Sequence, residues 1–243
     1  MALFTSVDQE PKKIEWSSSN IEEGRKFDIE YHNEEFPYII INNVFDEECL
    51  KLVWEELDFL CYDWKSKADK NPQSAGKWGR NKTSRREFFL EGIFTDPSFS
   101  NILKVNQITF DEHSQSGQKN SFLKLIEKHD HWFFKHALIL NRSFLLNYYE
   151  DRNYYKPHPD QGLMTCLHWF YKEPKSFEGG EFIISDYNKK IELANNKMII
   201  FPSMLKHEVT PIEMKEEDKG KKLGRWCITT FLGSEAPSYT TEK

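Results

Sequence analysis

Apolar residues follow two rhythms along this chain, and the rhythm changes near Ser143. Before it the spacing is helical. Leu50, Val53, Trp54, Leu57, Leu60 and Cys61 recur at three- and four-residue intervals, and Asp46 stands where an N-cap carboxylate would accept from the first turn. A second helix is expected from about Ser121 to Leu140, with Phe122, Ile126, His129, Phe133, His136 and Leu140 along one face. Ahead of both helices, the run FPYIIINNV (residues 36–44) reads as a strand. Residues 1–35 are polar and mixed in charge, and read as an N-terminal arm with room for one strand. Residues 63–86 are rich in Lys, Ser, Asn and Gly, and read as a long loop of the kind that forms lids or binding segments.

After Ser143 come short β-rich runs separated by turn residues: FLLNYY, YYKPHPD, LMTCLHWFY, GEFIIS, KIEL, KMIIFP, KHEVTP and RWCITTFLG. Strands this short and this numerous predict a sandwich or barrel. The expected fold is α+β but mainly β, a double-stranded β-helix (jelly roll) core with the N-terminal helices packed outside. The domain division that follows is a single unit over residues 36–243, helical and loop-rich over 46–140, with its β core over 144–233.

Composition narrows the function classes. Hydrophobic residues make up only 38% of the 243, but aromatics reach 15%, and each aromatic side chain buries a large area, so a packed core is expected. The net charge of −6 argues against a general nucleic-acid binder. The basic run at residues 77–86 is the local exception, and reads first as a solvated loop. Cys49, Cys61, Cys166 and Cys227 form no CxxC pair, which fits buried free thiols and a cytoplasmic setting. No run of 18 apolar residues occurs, so neither membrane span nor signal peptide is expected.

His158 and Asp160 are one residue apart in a strand-like run, and residues i and i+2 of a strand point to the same side. An imidazole and a carboxylate can there meet one cation. His207, 47 residues beyond Asp160 in another strand-like run, supplies a third ligand. Two His and one carboxylate leave coordination positions open, the arrangement suited to non-haem Fe(II) oxygenases. An HxD pair by itself is usually an ordinary surface pair, and the case for a metal site comes from what surrounds it. Arg225 opens the last strand and shares a face with Cys227, Thr229 and Phe231. A buried Arg needs an anionic partner, which a dicarboxylate ligand would supply; taken alone, Arg225 reads more readily as an Arg that snorkels to the surface or pairs with a local Glu.

These motifs, in the order HxD, GG-x-hydrophobic, H-x-V-x-P and Arg-x-x-Ile-Thr, resemble the Fe(II)/2-oxoglutarate-dependent dioxygenases, and most of all their prolyl-hydroxylase-like branch. The resemblance runs from Leu145 to Gly233. It implies that His158, Asp160 and His207 are the catalytic iron ligands, that Arg225 anchors the distal carboxylate of 2-oxoglutarate, and that Tyr148 and Thr229 line the co-substrate pocket. It further implies Fe(II), 2-oxoglutarate and dioxygen as reactants, with ascorbate as a candidate reductant. Gly179 and Gly180 match a turn into the next strand. Three departures stand out: Arg152 near the place of a usual glycine, Trp169 where a tyrosine often assists the arginine, and a long His207–Arg225 interval filled by EMKEEDKGKK. The expected substrate is a prolyl or other side chain of a protein or peptide, reached without nucleic-acid or membrane partners. A small-molecule or free amino-acid hydroxylase and a catalytically silent jelly-roll binding module are the rivals. His129, His131, His136 and His168 read as packing or surface residues rather than ligands.

Overall fold

The structure, a computed structural model, describes residues 28–60, 86–90, 100–103, 125–139 and 141–233. The loop expected at 63–86 lies almost wholly outside these, as do Cys61 and the basic run up to residue 85. In chain order the elements are β1 (Asp28–His32), β2 (Tyr38–Asn42), α1 (Glu47–Leu60), β3 (Arg86–Phe89), α2 (Trp132–Lys135), β4 (Asn141–Tyr149), β5 (Tyr155–His158), β6 (Met164–Phe170), β7 (Phe177–Gly179), β8 (Phe182–Ile184), β9 (Lys189–Ile191), β10 (Lys197–Pro202), β11 (His207–Val209), β12 (Ile212–Met214) and β13 (Arg225–Gly233).

Two sheets carry the architecture. The larger runs β1-β2-β10-β6-β13-β4-β3, the smaller β5-β11-β8-β9, and β7 pairs separately with β12. Along the chain from β4 to β13 the strands alternate between the sheets: β4, β6, β10 and β13 lie in the larger sheet, and β5, the β8–β9 hairpin and β11 in the smaller. This is the double-stranded β-helix expected from the sequence. β1, within the stretch read as an arm, pairs along its whole length with β2, whose edge continues onto β10.

Strand alternation divides the core in two. One face of the larger sheet presents Phe144, Leu146 and Tyr148 of β4 with Cys166, Phe170, Trp226 and Ile228, and α1 covers it with Cys49, Val53 and Leu57. The other face looks into the sandwich: Tyr149, Leu167, Trp169 and Cys227 pack there against Phe182, Ile184 and Val209 of the smaller sheet. Asp46 caps α1 as expected, its Oδ1 accepting from Cys49 N at 2.8 Å. Full burial of side chains such as Val53 and Leu57 stabilises the helix–sheet contact by roughly 1.5–3 kcal/mol each.

The helix expected over 121–140 is not continuous. Residues 125–127 are helical, the chain leaves the helix at 128–131, and α2 is a single turn; residues 121–124 and 140 lie outside the described residues. The break has a local cause. His129 Nδ1 accepts from His131 N at 3.0 Å, and His131 Nδ1 accepts from Phe133 N at 3.2 Å as the N-cap of α2. Side-chain acceptors thus replace the helical carbonyls. His129 is buried, bonded to the His32 carbonyl and stacked on Phe134, which is a packing role.

Candidate active site

β5 and β11 are neighbours in the smaller sheet, and their register sets His158 directly opposite His207. Asp160 follows β5, with its backbone N–H donating to Ser203 O at 2.9 Å at the end of β10. The three side chains converge. Asp160 Oδ1 lies 3.6 Å from His158 Nε2, Asp160 Oδ2 lies 3.3 Å from His207 Nε2, and one ligand atom from each falls within 4.8 Å of the others. Among the described residues this is the one cluster of His, Cys, Asp or Glu so disposed.

The orientation of each ring follows from its backbone. His158 Nδ1 lies 2.8 Å from Lys156 O, and His207 Nδ1 lies 3.0 Å from Leu205 O. A carbonyl only accepts, so each ring carries a proton on Nδ1 and turns Nε2 toward Asp160, the nitrogen that is then left to ligate a metal. Asp160 Oδ2 accepts from Thr165 Oγ1 at 2.8 Å, and that hydroxyl lies 2.8 Å from Ser203 Oγ. Burial lowers the His158 imidazole below its ordinary value, even though Asp160 opposes the shift. Burial acts to raise the Asp160 carboxyl, but His207 and His158 outweigh it and hold it well below the usual carboxylate range. Near neutral pH the cluster is therefore a carboxylate facing a neutral His158 imidazole, whose proton sits on Nδ1 and leaves Nε2 bare.

The same pocket reaches Arg225, on the larger sheet. The guanidinium is 1% exposed, and Nε, Nη1 and Nη2 have no hydrogen-bond partner. It lies 5.0 Å from the Tyr149 ring centroid and 5.7 Å from that of Trp169, two aromatic faces that compensate a buried cation in part. Three unmatched donor nitrogens of one cation at the end of a pocket are costly unless a ligand satisfies them. Backbone geometry allows the approach: a Cβ on Gly224 would collide with the Tyr149 carbonyl oxygen, so only glycine lets the chain pass there before Arg225. Gly180, at φ +66°, leaves no room for a Cβ beside Ile212.

Cys227, Thr229 and Phe231 line the pocket with Arg225, the face read from the strand period. Tyr148 does not. Its ring packs on Trp226 on the helix-covered face, and its hydroxyl accepts from Gly224 N at 3.1 Å. Tyr149, one residue on, lines the pocket instead. The expectation matched a tyrosine by counting back from His158, and one residue of error on a strand exchanges faces. Trp169 is not a lining residue either; it lies against Arg225, and its Nε1 has no hydrogen-bond partner. Arg152 adopts φ +61°, so it fills the left-handed position where a glycine is usual. EMKEEDKGKK forms the end of β12 and a short 3-10 turn, tied down by Lys219 to Asp151.

Sequence reasoning missed Asn147, Tyr149, Tyr155, Thr165 and Ser203. Asn147 and Thr165 carried a legible signal, a polar residue at an inward position of an otherwise apolar strand. His168 is buried, bonded to Asn196 at 3.0 Å and packed on Phe45 and Phe170, and so has a packing role. No described helix is long and apolar enough to cross a membrane.

A donor set of two imidazoles and one carboxylate fits Fe(II), and a buried, partnerless guanidinium in the same pocket fits the far carboxylate of a dicarboxylate. Known proteins agree with the motif resemblance. Residues 144–233 match the model of the 2OG-Fe(II) oxygenase superfamily. A PKHD-type hydroxylase of Gloeothece citriformis is 30% identical over 141 residues, covering 51% of this chain and 61% of that protein. An uncharacterized PKHD-type hydroxylase of Synechocystis is 33% identical over 86 residues, covering 28% of each. The chain thus spans less than two thirds of either relative's length. Among solved structures, a Pseudomonas putida prolyl-4-hydroxylase shares 11% identity at a TM-score of 0.48, covering 83% of this chain and 95% of that one.

Proposed function

We propose that this chain, which carries a 2OG-Fe(II) oxygenase domain over residues 144–233, is an Fe(II)- and 2-oxoglutarate-dependent dioxygenase that hydroxylates a C–H bond of its substrate. The observation that carries the reading is the buried, partnerless guanidinium of Arg225 in the pocket that also holds His158, Asp160 and His207. In this reading His158 Nε2, His207 Nε2 and one oxygen of Asp160 hold the metal. Arg225 binds the distal carboxylate of the co-substrate, with the faces of Tyr149 and Trp169 fixing the guanidinium. Leu145, Leu167, Phe182 and Val209 keep water from the walls, which strengthens each polar contact inside. Bound Fe(II) would supply the redox chemistry, in which dioxygen places one oxygen atom in the substrate and the other in succinate as 2-oxoglutarate loses carbon dioxide.

The first candidate substrate is a prolyl or other side chain of a protein or peptide, on the likeness of HEVTP and RWCITTF to the prolyl branch. Ascorbate is proposed as an accessory reductant. The cytoplasm is the proposed setting, since Cys49, Cys166 and Cys227 are buried free thiols.

The deciding experiment is anaerobic. Fe(II) and then 2-oxoglutarate are added to metal-free protein, and the visible charge-transfer band of a chelated 2-oxo acid is sought. The expected result is a band that needs both and is absent in His158→Ala. Folded protein with no band overturns the reading. Mass spectrometry of a peptide library then tests the substrate: succinate formation without any peptide hydroxylation would reject the peptide assignment and leave the co-substrate chemistry standing.

A further inference from the structure

In the inward face of β4, Asn147 stands between Leu145 and Tyr149, all three lining the pocket. It is 3% exposed, and among its contacts with the described residues two set the orientation of its amide. Nδ2 donates to the Leu145 carbonyl at 3.3 Å and to Thr229 Oγ1 at 2.9 Å. The carbonyl can only accept, so the nitrogen, not the oxygen, faces Thr229. Thr229 Oγ1 is thereby an acceptor toward Asn147, and its own hydrogen must point elsewhere. Its other contact is the Cys227 sulfur at 3.8 Å, a weak partner.

The position of this hydroxyl along the pocket follows from strand register. Thr229 pairs with Leu167, and Phe231 pairs with Thr165, the residue that donates to Asp160. Phe231 therefore marks the metal end of β13 and Arg225 the opposite end. At about 3.3 Å per residue, Thr229 lies about 7 Å along the strand from Phe231 and about 13 Å from Arg225. The Arg225 side chain is long enough to reach back over part of that interval. A hydroxyl donor thus stands between the proposed metal and the guanidinium, on a wall otherwise formed there by Leu145, Leu167 and Val209.

We infer that Asn147 is a positioning residue for co-substrate binding: it makes Thr229 a hydrogen-bond donor into the pocket, a second donor beside Arg225 for a carboxylate oxygen of a dicarboxylate. Without the amide, the Thr229 hydroxyl is free to turn its hydrogen toward the Leu145 side, and the donor is lost as often as it is kept. The inference rests on the 2-oxoglutarate reading above.

The test is a double-mutant cycle read by binding, not turnover. Anaerobic Fe(II)-loaded protein is titrated with 2-oxoglutarate, following the charge-transfer band, for wild type, Asn147→Leu, Thr229→Val and the pair. Thr229→Val is expected to weaken 2-oxoglutarate about tenfold and Asn147→Leu about twofold, since it leaves the donor available about half the time, the pair no more than Thr229→Val alone, and Thr229→Ser to restore most of the affinity. Fe(II) affinity, measured separately by competition with a colorimetric chelator, is expected to stay unchanged, which a general loosening of the pocket would not leave so. Additive losses, or unchanged affinity in both singles, overturn the inference while a wild-type band keeps the oxygenase reading intact. Absence of a wild-type band instead overturns the reading on which it rests. If Asn147→Leu does not fold, Thr229→Val against Thr229→Ser decides alone: equal affinities reject a donor role for the hydroxyl.

Discussion

His158 and His207 face each other across β5 and β11, and each bonds through Nδ1 to the backbone carbonyl two residues before it. Backbone carbonyls therefore set the turn of both rings, with Tyr155 packed on His158 and with Phe182 and Phe201 packed on His207. Asp160 lacks that backbone support for its carboxylate and is held by Thr165, which in turn meets Ser203.

Thr165→Val removes the hydroxyl on Asp160 Oδ2 while keeping shape and burial. Metal affinity is expected to fall by about 10–100-fold, the range for lost outer-shell partners. Competition titration with Co(II) as an oxygen-stable probe measures it. An unchanged affinity would mean that the histidines alone fix the centre.

Arg225→Met replaces a buried cation with no hydrogen-bond partner by an apolar chain of similar length. The ligand-free protein is expected to become more stable, by about 1–3 kcal/mol, because the desolvation cost disappears. The stabilisation by 2-oxoglutarate, about 2.7 kcal/mol at a hundredfold excess over Kd in wild type, is expected to vanish. Thermal melts with and without 2-oxoglutarate, both with Fe(II) under argon, read both effects.

Tyr148 and Tyr149 are expected to separate stability from binding. Tyr148→Phe loses the hydrogen bond from Gly224 N, at a cost of about 1 kcal/mol, with 2-oxoglutarate affinity unchanged. Tyr149→Leu removes the aromatic face beside Arg225 and is expected to weaken 2-oxoglutarate. Titration and melting of both variants would show the opposite pattern if Tyr148 were the pocket residue.

The depressed His158 imidazole makes the metal-free protein sensitive to acid. The folded state binds His158's proton less readily than the unfolded chain, whose value is about 6.5, so stability rises with pH between the two. The contribution is complete above about pH 6.5 and is lost as pH falls through the folded value. Asp160, also depressed, adds a loss only once pH approaches the ordinary carboxylate range. Urea unfolding of metal-free protein at pH 7.5 and 5.5 is expected to show lower stability at pH 5.5, with the difference reduced in His158→Gln.

The eight core strands were legible because most carry β-branched or aromatic residues and turn residues separate them, and KMIIFP and RWCITTFLG match β10 and β13 end to end. Strand period suggested that His158 and Asp160 share a side, but reading them as metal ligands, and Arg225 as a co-substrate anchor, needed the order of the surrounding motifs and the family resemblance. What escaped depends on tertiary context. β7 (FEG) and β12 (IEM) carry no β-rich run of their own and exist through pairing with each other. The helix over 121–140 failed because His129 and His131 use their rings to accept backbone N–H groups, a local choice that apolar spacing does not record. Tyr149 escaped because parity along β4 is set by its pairing with β13, where Tyr149 lies opposite Arg225 and Tyr148 opposite Trp226.

The two ends of the pocket belong to different sheets: the histidines come from β5 and β11, the guanidinium from β13. A molecule gripped at both ends is then a cross-brace between the layers of the sandwich. Its departure frees the layers to slide or breathe against each other, so amide exchange should quicken on both sheets together and not only around the vacated site.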